Sequence, residues 1–151
     1  MLDDADRRLL RQMLATPDAA GTALAERVGL SPAALSRRID RLRDQGVIRG
    51  IHAEINWPAM GYAVEVSLRI ALDKTEPRAF DEFQAAAREV PEVAEIQTFL
   101  GRVDVRLLIL ARDMAHYQTI YRDRILTLPH IADIEALMQV ATVKSDQALP
   151  I

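Results

Sequence analysis

The stretch from Thr22 to Gly46 places the tightest constraint on the fold, since it predicts two short helices joined by a sharp turn. Thr22 is the expected N-cap of the first helix, because its hydroxyl can accept from a free amide of the first turn. Gly29 lies where a helix ends in a left-handed residue, which glycine adopts without steric cost. Ser31 and then Pro32 predict the start of the second helix, with serine as cap and proline at the first helical position. This pattern is typical of a helix-turn-helix.

The second predicted helix is apolar on one face and polar on the other. Leu35, Ile39 and Leu42 recur at helical spacing and are expected to point inward. A helix of this width fits the major groove of double-stranded DNA, where arginine can bond a guanine edge or hold a phosphate. A solvated basic helix on a small domain is the alternative interpretation. The residues predicted to contact DNA are Thr22, Ser31, Ala33, Ser36, Arg37, Arg38, Asp40 and Arg41.

The two ends of the chain differ in charge. Residues 1–50 hold nine Arg and Lys against seven Asp and Glu, whereas residues 51–151 hold ten against fifteen. The net charge of −3 is therefore unevenly distributed. This asymmetry favours contact with nucleic acid by the first part only.

Residues 1–50 are predicted to form a three-helix DNA-binding domain. Asp3 or Asp4 can cap a first helix that runs to about Ala15. The apolar face expected for this helix consists of Leu9, Leu10, Met13 and Leu14.

An extended segment rich in β-branched residues follows at 47–56 and is expected to be a wing or a linker. Pro58 and Gly61 then interrupt the chain. We therefore place a linker at 51–61, a second domain at 62–145 and a tail at 146–151.

The second domain shows a recurring pattern of strands and helices. Strands are predicted at 62–72, 91–100, 105–111 and 129–143, and helices at 77–90 and from Asp113 onward. This βαββαβ order predicts an α+β chain with a ferredoxin-like second domain, in which two helices cover one face of an antiparallel sheet. The helix residues expected to point inward are Phe80, Phe83, Ala87, Val90, Tyr117, Ile120 and Tyr121. On the last strand, the residues expected on the buried face are Ile134, Ala136, Met138 and Val140.

No predicted helix or strand covers the second face of this sheet. On the first strand it carries the small residues Ala63, Ser67 and Ala71 beside charged ones. A second sheet could pack there, so we expect a symmetric dimer that also pairs two DNA-binding helices.

Composition narrows the remaining classes. The chain has no cysteine, which excludes disulfides and thiolate chemistry. No apolar run approaches a membrane span, and the charged N-terminus argues against a signal peptide and for the cytoplasm. The three histidines, His52, His116 and His130, lie on different predicted elements. We therefore expect no metal site, no cofactor and no catalytic residues.

Several motifs together resemble the Lrp/AsnC family of transcriptional regulators. They are LDDADRRLL, LAERVGLSPAALSRRIDRLRDQGVIRG, AMGY, PEV, the GRVD turn and LPHI, in that order along nearly the whole chain. The resemblance implies an N-terminal helix-turn-helix and a C-terminal domain that regulates amino-acid metabolism. It also implies dimers, often assembled into octameric rings, and an amino-acid effector.

The resemblance further implies an effector site. Its predicted residues are Gly101, Arg102, Val103, Asp104, Ile134 and Ala136. Many family members carry hydroxyl residues where this chain has the last two. An effector with an apolar side chain is therefore expected, because burying a polar ligand group against them would cost free energy.

Two other functions compete with a ligand-controlled regulator. A DNA-organising architectural protein would bind DNA without an effector. Sirohaem decarboxylases are similar to this family, but their chemistry would require clustered histidines and arginines.

Overall fold

The computed structural model describes residues 1–144. The chain forms two compact units, and the boundary between them falls between Glu54 and Ile55. The second unit extends to Thr142. The predicted tail at 146–151 lies outside the described residues, as does the last residue of the predicted 62–145 domain.

The first unit consists of three helices: α1 (Asp4–Ala15), α2 (Gly21–Val28) and α3 (Pro32–Asp44). Asp3 caps α1 by accepting from the Asp6 amide, and Ser31 caps α3 by accepting from the Ala34 amide. Gly29 ends α2 with a φ of 71°, in the left-handed region that favours glycine. The buried core residues of this unit are Leu9, Leu24, Ala25, Val28, Leu35, Leu42 and Ile48.

Two expectations for this unit are corrected. Thr22 is not the cap of α2, because the helix begins at Gly21 and Ala20 stands at the cap without a side-chain hydrogen bond. Leu14 is exposed, because it lies on the outer side of the last turn of α1. The segment at 47–56, expected to be a wing or a linker, is irregular chain without a strand.

The second unit contains four strands and two main helices. In chain order they are β1 (Val64–Leu72), α4 (Ala79–Arg88), β2 (Val93–Thr98), β3 (Val105–Ala111), α5 (Met114–Ile120) and β4 (Ile131–Met138). A short 3₁₀ turn (Pro58–Met60) precedes β1, and a π-helical turn (Tyr121–Ile125) continues α5. The strands form one antiparallel sheet in the order β2-β3-β1-β4. This confirms the predicted ferredoxin-like order and the α+β class.

One face of the sheet is covered by α4 and α5. The alternating residues of β1 and β3 that point to this face are fully or almost fully buried, as in Leu68 and Leu107. Phe83 from α4 and Ile120 from α5 pack against them. Antiparallel sheets commonly bury one face in this way and leave the other free.

The predictions of burial are wrong for Phe80 on α4 and for three residues of the predicted last strand. Phe80 is 36% exposed, since α4 presents Ala79, Phe83 and Ala87 to the sheet. The last strand is shorter than predicted and lies at the sheet edge. Ala136 and Met138 are therefore exposed although they lie opposite buried residues of β1. Val140 lies beyond β4 and is 97% exposed.

The start of β4 has an unusual backbone. His130 has a φ of 64°, a left-handed conformation that is rare for residues other than glycine. Its Nε2 lies 2.6 Å from a carboxylate oxygen of Glu82 on α4, and its carbonyl accepts from the Asp73 amide. These contacts fix the strained residue between the central strand and the helix layer.

Candidate nucleic-acid interface and effector site

The outward face of α3 presents the polar surface that the sequence predicted. The side chains of Ala33, Ser36, Arg37 and Asp40 are all exposed. Leu35 and Leu42 are buried on the opposite side, which fixes the rotation of the helix about its axis. An exposed helix face of this kind has the dimensions required to enter the major groove.

Two acidic residues at the start of the chain bind two of the predicted DNA-contacting arginines. Arg38 donates to both Asp3 and Asp6, with its Nη1 2.7 Å from Asp6 Oδ1. Arg41 donates to the same oxygen through Nη2. The Asp6 side chain is completely buried, so these two guanidinium groups neutralise a carboxylate that has no access to water.

The ion pairs shift the titration of both carboxylates. The hydrogen bond from Arg38 is the main cause that lowers the pKa of Asp3 from 3.8 to about 2. Burial by itself would raise the pKa of Asp6, but the hydrogen bond from the Asp3 amide and the contacts with Arg38 and Arg41 outweigh it, so the pKa is lowered. The carboxylates also raise the pKa of Arg38, Asp3 more than Asp6. Asp3, Asp6 and Arg38 therefore stay charged near neutral pH.

Arg37 differs from the other two arginines. Among residues 1–144, it has no ion pair or hydrogen bond, and it is exposed. The prediction treated Arg37 and Arg41 as equivalent members of one free face. The structure separates them, because Arg41 turns towards α1 while Arg37 points to solvent.

The residue that sequence reasoning missed here is Asp6. It precedes Leu9 by three residues and Leu10 by four, so it falls on the apolar face of α1. An acid in an apolar stripe is expected to be buried, and a buried carboxylate requires a cationic partner. The spacing of Asp6 from Leu9 and Leu10 is therefore the feature of the sequence that could have predicted the contact with α3.

A groove of about 480 Å³ lies between the start of α2 and the exposed side of α3. Leu35 and Ile39 contribute apolar surface to it, and Thr22, Ser36 and Asp40 contribute polar groups. The structure therefore brings these three predicted DNA-contacting residues together. Arg37 and Ala33 lie outside the groove lining.

The predicted effector turn connects β2 to β3. Gly101 and Arg102 are exposed, and Val103 is half-buried. Gly101 has a φ of 158°, at the limit of the region that favours glycine. The Phe99 amide donates to the Asp104 carbonyl and closes the turn, as the sequence predicted.

Asp104 itself is 3% exposed and is held within the unit. One carboxylate oxygen accepts from the Leu72 amide at 2.9 Å, and the other lies 3.2 Å from the Lys74 ammonium. The Asp104 amide donates to the Ile70 carbonyl. These contacts fasten the turn to the end of the central strand.

The other two predicted effector residues lie on β4, across β1 from the turn. Ile134 is opposite Ile70 and packs against the core, whereas Ala136 is opposite Leu68 and is exposed. Strands are spaced about 4.8 Å apart, so roughly 10 Å separates the backbones of β3 and β4. Gly101, Arg102, Val103, Asp104 and Ile134 thus lie at one end of the sheet. Ala136 lies further along β4.

The uncovered sheet face combines apolar and polar residues. Ser67 at its centre lies opposite Leu108 on one side and Leu137 on the other. Arg106 donates to Ser67 and to Gln97, both at 2.9 Å. This face therefore combines half-buried leucines with a row of hydrogen-bonded polar side chains.

Neither a metal site nor a membrane span occurs in the described part of the chain. Residues 1–144 contain no group of three or more His, Cys, Asp or Glu side chains placed to hold an ion. No helix within these residues has the length and apolar character needed to cross a membrane.

Comparison with known proteins identifies both units. Residues 2–49 match the winged helix-turn-helix DNA-binding family, and residues 65–149 match the Lrp/AsnC ligand binding domain. The second match covers more than half of the chain. The chain belongs to the Lrp/AsnC family. It is a DNA-binding transcriptional regulator with a ligand-binding domain.

Individual relatives match this Lrp/AsnC regulator along its whole length. It is 31% identical to the proline dehydrogenase transcriptional activator of Rhodobacter capsulatus, over 95% of this chain and 93% of that protein. A solved structure of a Neisseria meningitidis transcriptional regulator in complex with L-methionine matches with a TM-score of 0.90 at 25% identity, covering 99% and 97% of the two chains. A feast or famine regulatory protein from M. tuberculosis complexed with L-methionine matches with a TM-score of 0.85 at 30% identity, covering 97% of each chain.

The ion pairs of Asp3 and Asp6 predict that the free energy of unfolding depends on pH. Asp3 and Asp6 both have lowered pKa values in the folded state, so their contribution to stability is present above the unfolded value of 3.8. It is lost as pH falls through the folded values, towards about 2 for Asp3. Asp6→Asn should therefore lower the free energy of unfolding at neutral pH and flatten its decline in acid.

Urea unfolding of the intact chain between about pH 6 and pH 2.5, followed by circular dichroism, measures this effect. Asp18→Asn is the matched control, since Asp18 is exposed and its side chain has no ion pair or hydrogen bond within residues 1–144. Equal acid sensitivity of the two variants and the unsubstituted chain would contradict the assignment.

Proposed function

We propose that this regulator recognises specific DNA sequences through the exposed face of α3 and responds to an amino acid with an apolar side chain. The observation that carries the proposal is Arg37, an exposed guanidinium without a partner among the described residues, beside Ser36. The capped start of α3 and its buried leucines fix the rotation of the helix, so that these side chains project from its outward face. A fixed donor array is what base-edge recognition requires.

Arg37 lies in the second turn of α3, close to the helix end that approaches the bases in helix-turn-helix complexes. A guanidinium there can donate two hydrogen bonds to guanine O6 and N7. Arg38 and Arg41 are proposed to act differently. Their bonds to Asp3 and Asp6 orient α1 against α3 and leave fewer donors for DNA.

The start of α2 is proposed to contact the DNA backbone. Its first-turn amides have no side-chain cap, and Thr22 is exposed beside them. Free amides at a helix N-terminus favour an anion such as phosphate. This assignment replaces the capping role expected for Thr22 with a phosphate-binding role.

Replacing Arg37 by alanine should weaken binding to a specific site by roughly 1–3 kcal/mol if the side chain contacts a guanine. On DNA in which that base pair is changed, Arg37→Ala and the unsubstituted chain should bind equally, because neither can form the contact with guanine. Fluorescence anisotropy on a panel of single-base variants of the selected site measures both effects.

Arg88→Ala provides a matched control, since Arg88 is an exposed arginine at the end of α4 in the sheet-containing unit. It should leave the affinity unchanged. A uniform loss on all sequences in Arg37→Ala, with a salt slope reduced by about one, would indicate a phosphate contact instead. Unchanged binding would mean that this face does not meet DNA.

The proposed effector site lies at the Gly101 turn. Exposed backbone and the Arg102 side chain, which has no partner within residues 1–144, offer donors to a carboxylate. Asp104 is proposed to hold the turn in shape through Leu72 and Lys74. That Asp104 accepts a hydrogen bond from the α-ammonium of the ligand stays a prediction. It requires the ligand to reach a carboxylate that the Leu72 amide and Lys74 already bind.

The side chains at the proposed effector site support an apolar ligand. Ile134 and Ala136 carry no polar side-chain atom, so a polar ligand group buried beside them would lose its water without a new partner. Two structurally similar regulators are complexes with L-methionine. We therefore propose methionine or another amino acid with an apolar side chain as the effector.

Calorimetry on the intact chain should show tighter binding of L-methionine or L-leucine than of L-asparagine. Arg102→Ala should weaken that binding about tenfold, because a charge-assisted contact with the carboxylate is lost. Arg112→Ala, an exposed arginine just after β3, should have no effect. Tighter binding of asparagine, or no heat with any of these amino acids, would overturn the proposed ligand class.

Self-association is proposed to use the uncovered sheet face. Leu108, Leu110 and Leu137 remain half-exposed there in a single chain. A second copy packed face to face would bury them and would present two α3 helices on one symmetric assembly. Larger rings built from such dimers are an extension of the same proposal.

Leu108→Glu should convert the dimer to a monomer, because it would bury an unpaired carboxylate at the centre of the proposed interface. Sedimentation velocity of the full chain measures the change. Ala85→Glu, on the exposed side of α4, serves as the control. A Leu108→Glu chain that remains dimeric would show that another surface associates.

The architectural and enzymatic alternatives make different predictions. An architectural protein would give the same DNA footprint with and without amino acids. A sirohaem decarboxylase-like enzyme would change the absorbance of an added tetrapyrrole. Neither is favoured by a specific contact, since the His116 ring accepts from the Arg112 amide and the His130 ring binds Glu82. We propose a non-enzymatic regulator that acts in the cytoplasm.

A further inference from the structure

Asp40 is an unexpected residue on a surface that meets DNA. It is one helical turn from Arg37, and its side chain is 64% exposed. Its ion-pair partner is Arg43, at 3.8 Å on the same helix. Exposed pairs of this length contribute little to stability, so the carboxylate is available to other groups.

The outward charges of α3 balance one another. Arg38 and Arg41 are bound by the carboxylates of α1. The remaining charges on this helix are two arginines, at 37 and 43, and two aspartates, at 40 and 44. Attraction to phosphate gives affinity for any DNA sequence, so a helix without net free charge gains little of it. Tight binding by such a helix must come from contacts with base edges.

The chemistry of the major groove offers Asp40 one favourable partner. Cytosine presents only the N4 amine there, which donates to a carboxylate. Guanine presents two acceptors, and thymine presents an acceptor and a methyl group, so both disfavour a carboxylate. Adenine places an acceptor directly beside its amine.

We propose that Asp40 determines specificity by accepting a hydrogen bond from the N4 amine of a cytosine in the bound DNA. The inference rests on the proposed DNA-binding function and assigns part of its target sequence. Asp40 also raises the cost of binding every site that lacks this cytosine, because the carboxylate then faces acceptors or phosphates without compensation.

The position of Asp40 relative to Arg37 defines the spacing of the recognised bases. Residues three apart on a helix have Cβ atoms about 5–6 Å apart. Successive bases rise by about 3.4 Å along a strand. The guanine bound by Arg37 and the cytosine bound by Asp40 therefore belong to base pairs one or two steps apart. Each half-site should contain two G·C pairs with this spacing.

The test starts from the sequence that the intact chain selects from random DNA. Affinities are then measured by fluorescence anisotropy for all four bases at each position. Asp40→Asn keeps the size of the side chain and removes its charge. Because asparagine pairs with adenine N6 and N7, preference at one position should move from G·C to A·T, by about tenfold.

Asp44→Asn is the matched control, since it removes the same charge from the same helix about one turn further on. It should raise affinity about equally on all sequences, which is the effect of charge alone. In a second measurement, on the unsubstituted chain, N4-methylcytosine at the assigned position should weaken binding. Thermal melting of each variant monitors folding, which both exposed substitutions should preserve.

Three results would overturn the inference alone. One is an Asp40→Asn profile that parallels Asp44→Asn on every sequence, and another is a selected half-site without the second G·C pair. Insensitivity of the unsubstituted chain to N4-methylcytosine would also overturn it. Absence of any sequence preference in the unsubstituted chain is a separate outcome. That result would overturn the proposed sequence-specific function, and this inference with it.

Discussion

A single buried carboxylate determines how the DNA-binding unit presents its surface. Asp6 has no solvent exposure, so it requires cationic partners, and α3 supplies them in Arg38 and Arg41. These bonds hold α1 against α3 and engage two guanidinium groups that would otherwise be available to DNA. Arg37, one turn from Asp40, is exposed and has no partner within residues 1–144. The stability of the unit and the chemistry of its DNA-facing surface therefore depend on the same contact.

The sequence predicted the helices of this unit well, because their boundaries depend on local chemistry. Ser31 and Gly29 act through their own backbone conformations and nearest amides, which spacing alone reveals. The side-chain partners of Arg41 were less predictable. A helical pattern gives the angle of a residue around the axis and places Arg41 on the outward face, but its side chain is long enough to reach another helix. Only the position of Asp6 in an apolar stripe indicated that contact.

In the sheet-containing unit, the order of elements followed from the alternating and helical patterns. The exposure of β4 did not, because the sequence does not say which strand will lie at a sheet edge. Ala136 alternates as a buried residue would, yet it is exposed there. The burial of Asp104 could not be predicted from the sequence either, because its partners Leu72 and Lys74 come from a strand end about thirty residues earlier in the chain. The pattern of apolar and polar residues predicts strands and helices, but it does not show whether the proposed effector residues bind a ligand.

The strand order has a consequence for the emergence of the protein from the ribosome. The central strand β1 is the first of the sheet to be synthesised, but one of its two neighbours, β4, is the last. Pairing them closes a loop of about sixty residues, and contacts so distant in sequence form late in folding. The three helices of the first unit make mostly shorter-range contacts and precede the sheet in the chain. The helix-turn-helix is therefore expected to fold on the nascent chain before the ligand-binding sheet is complete.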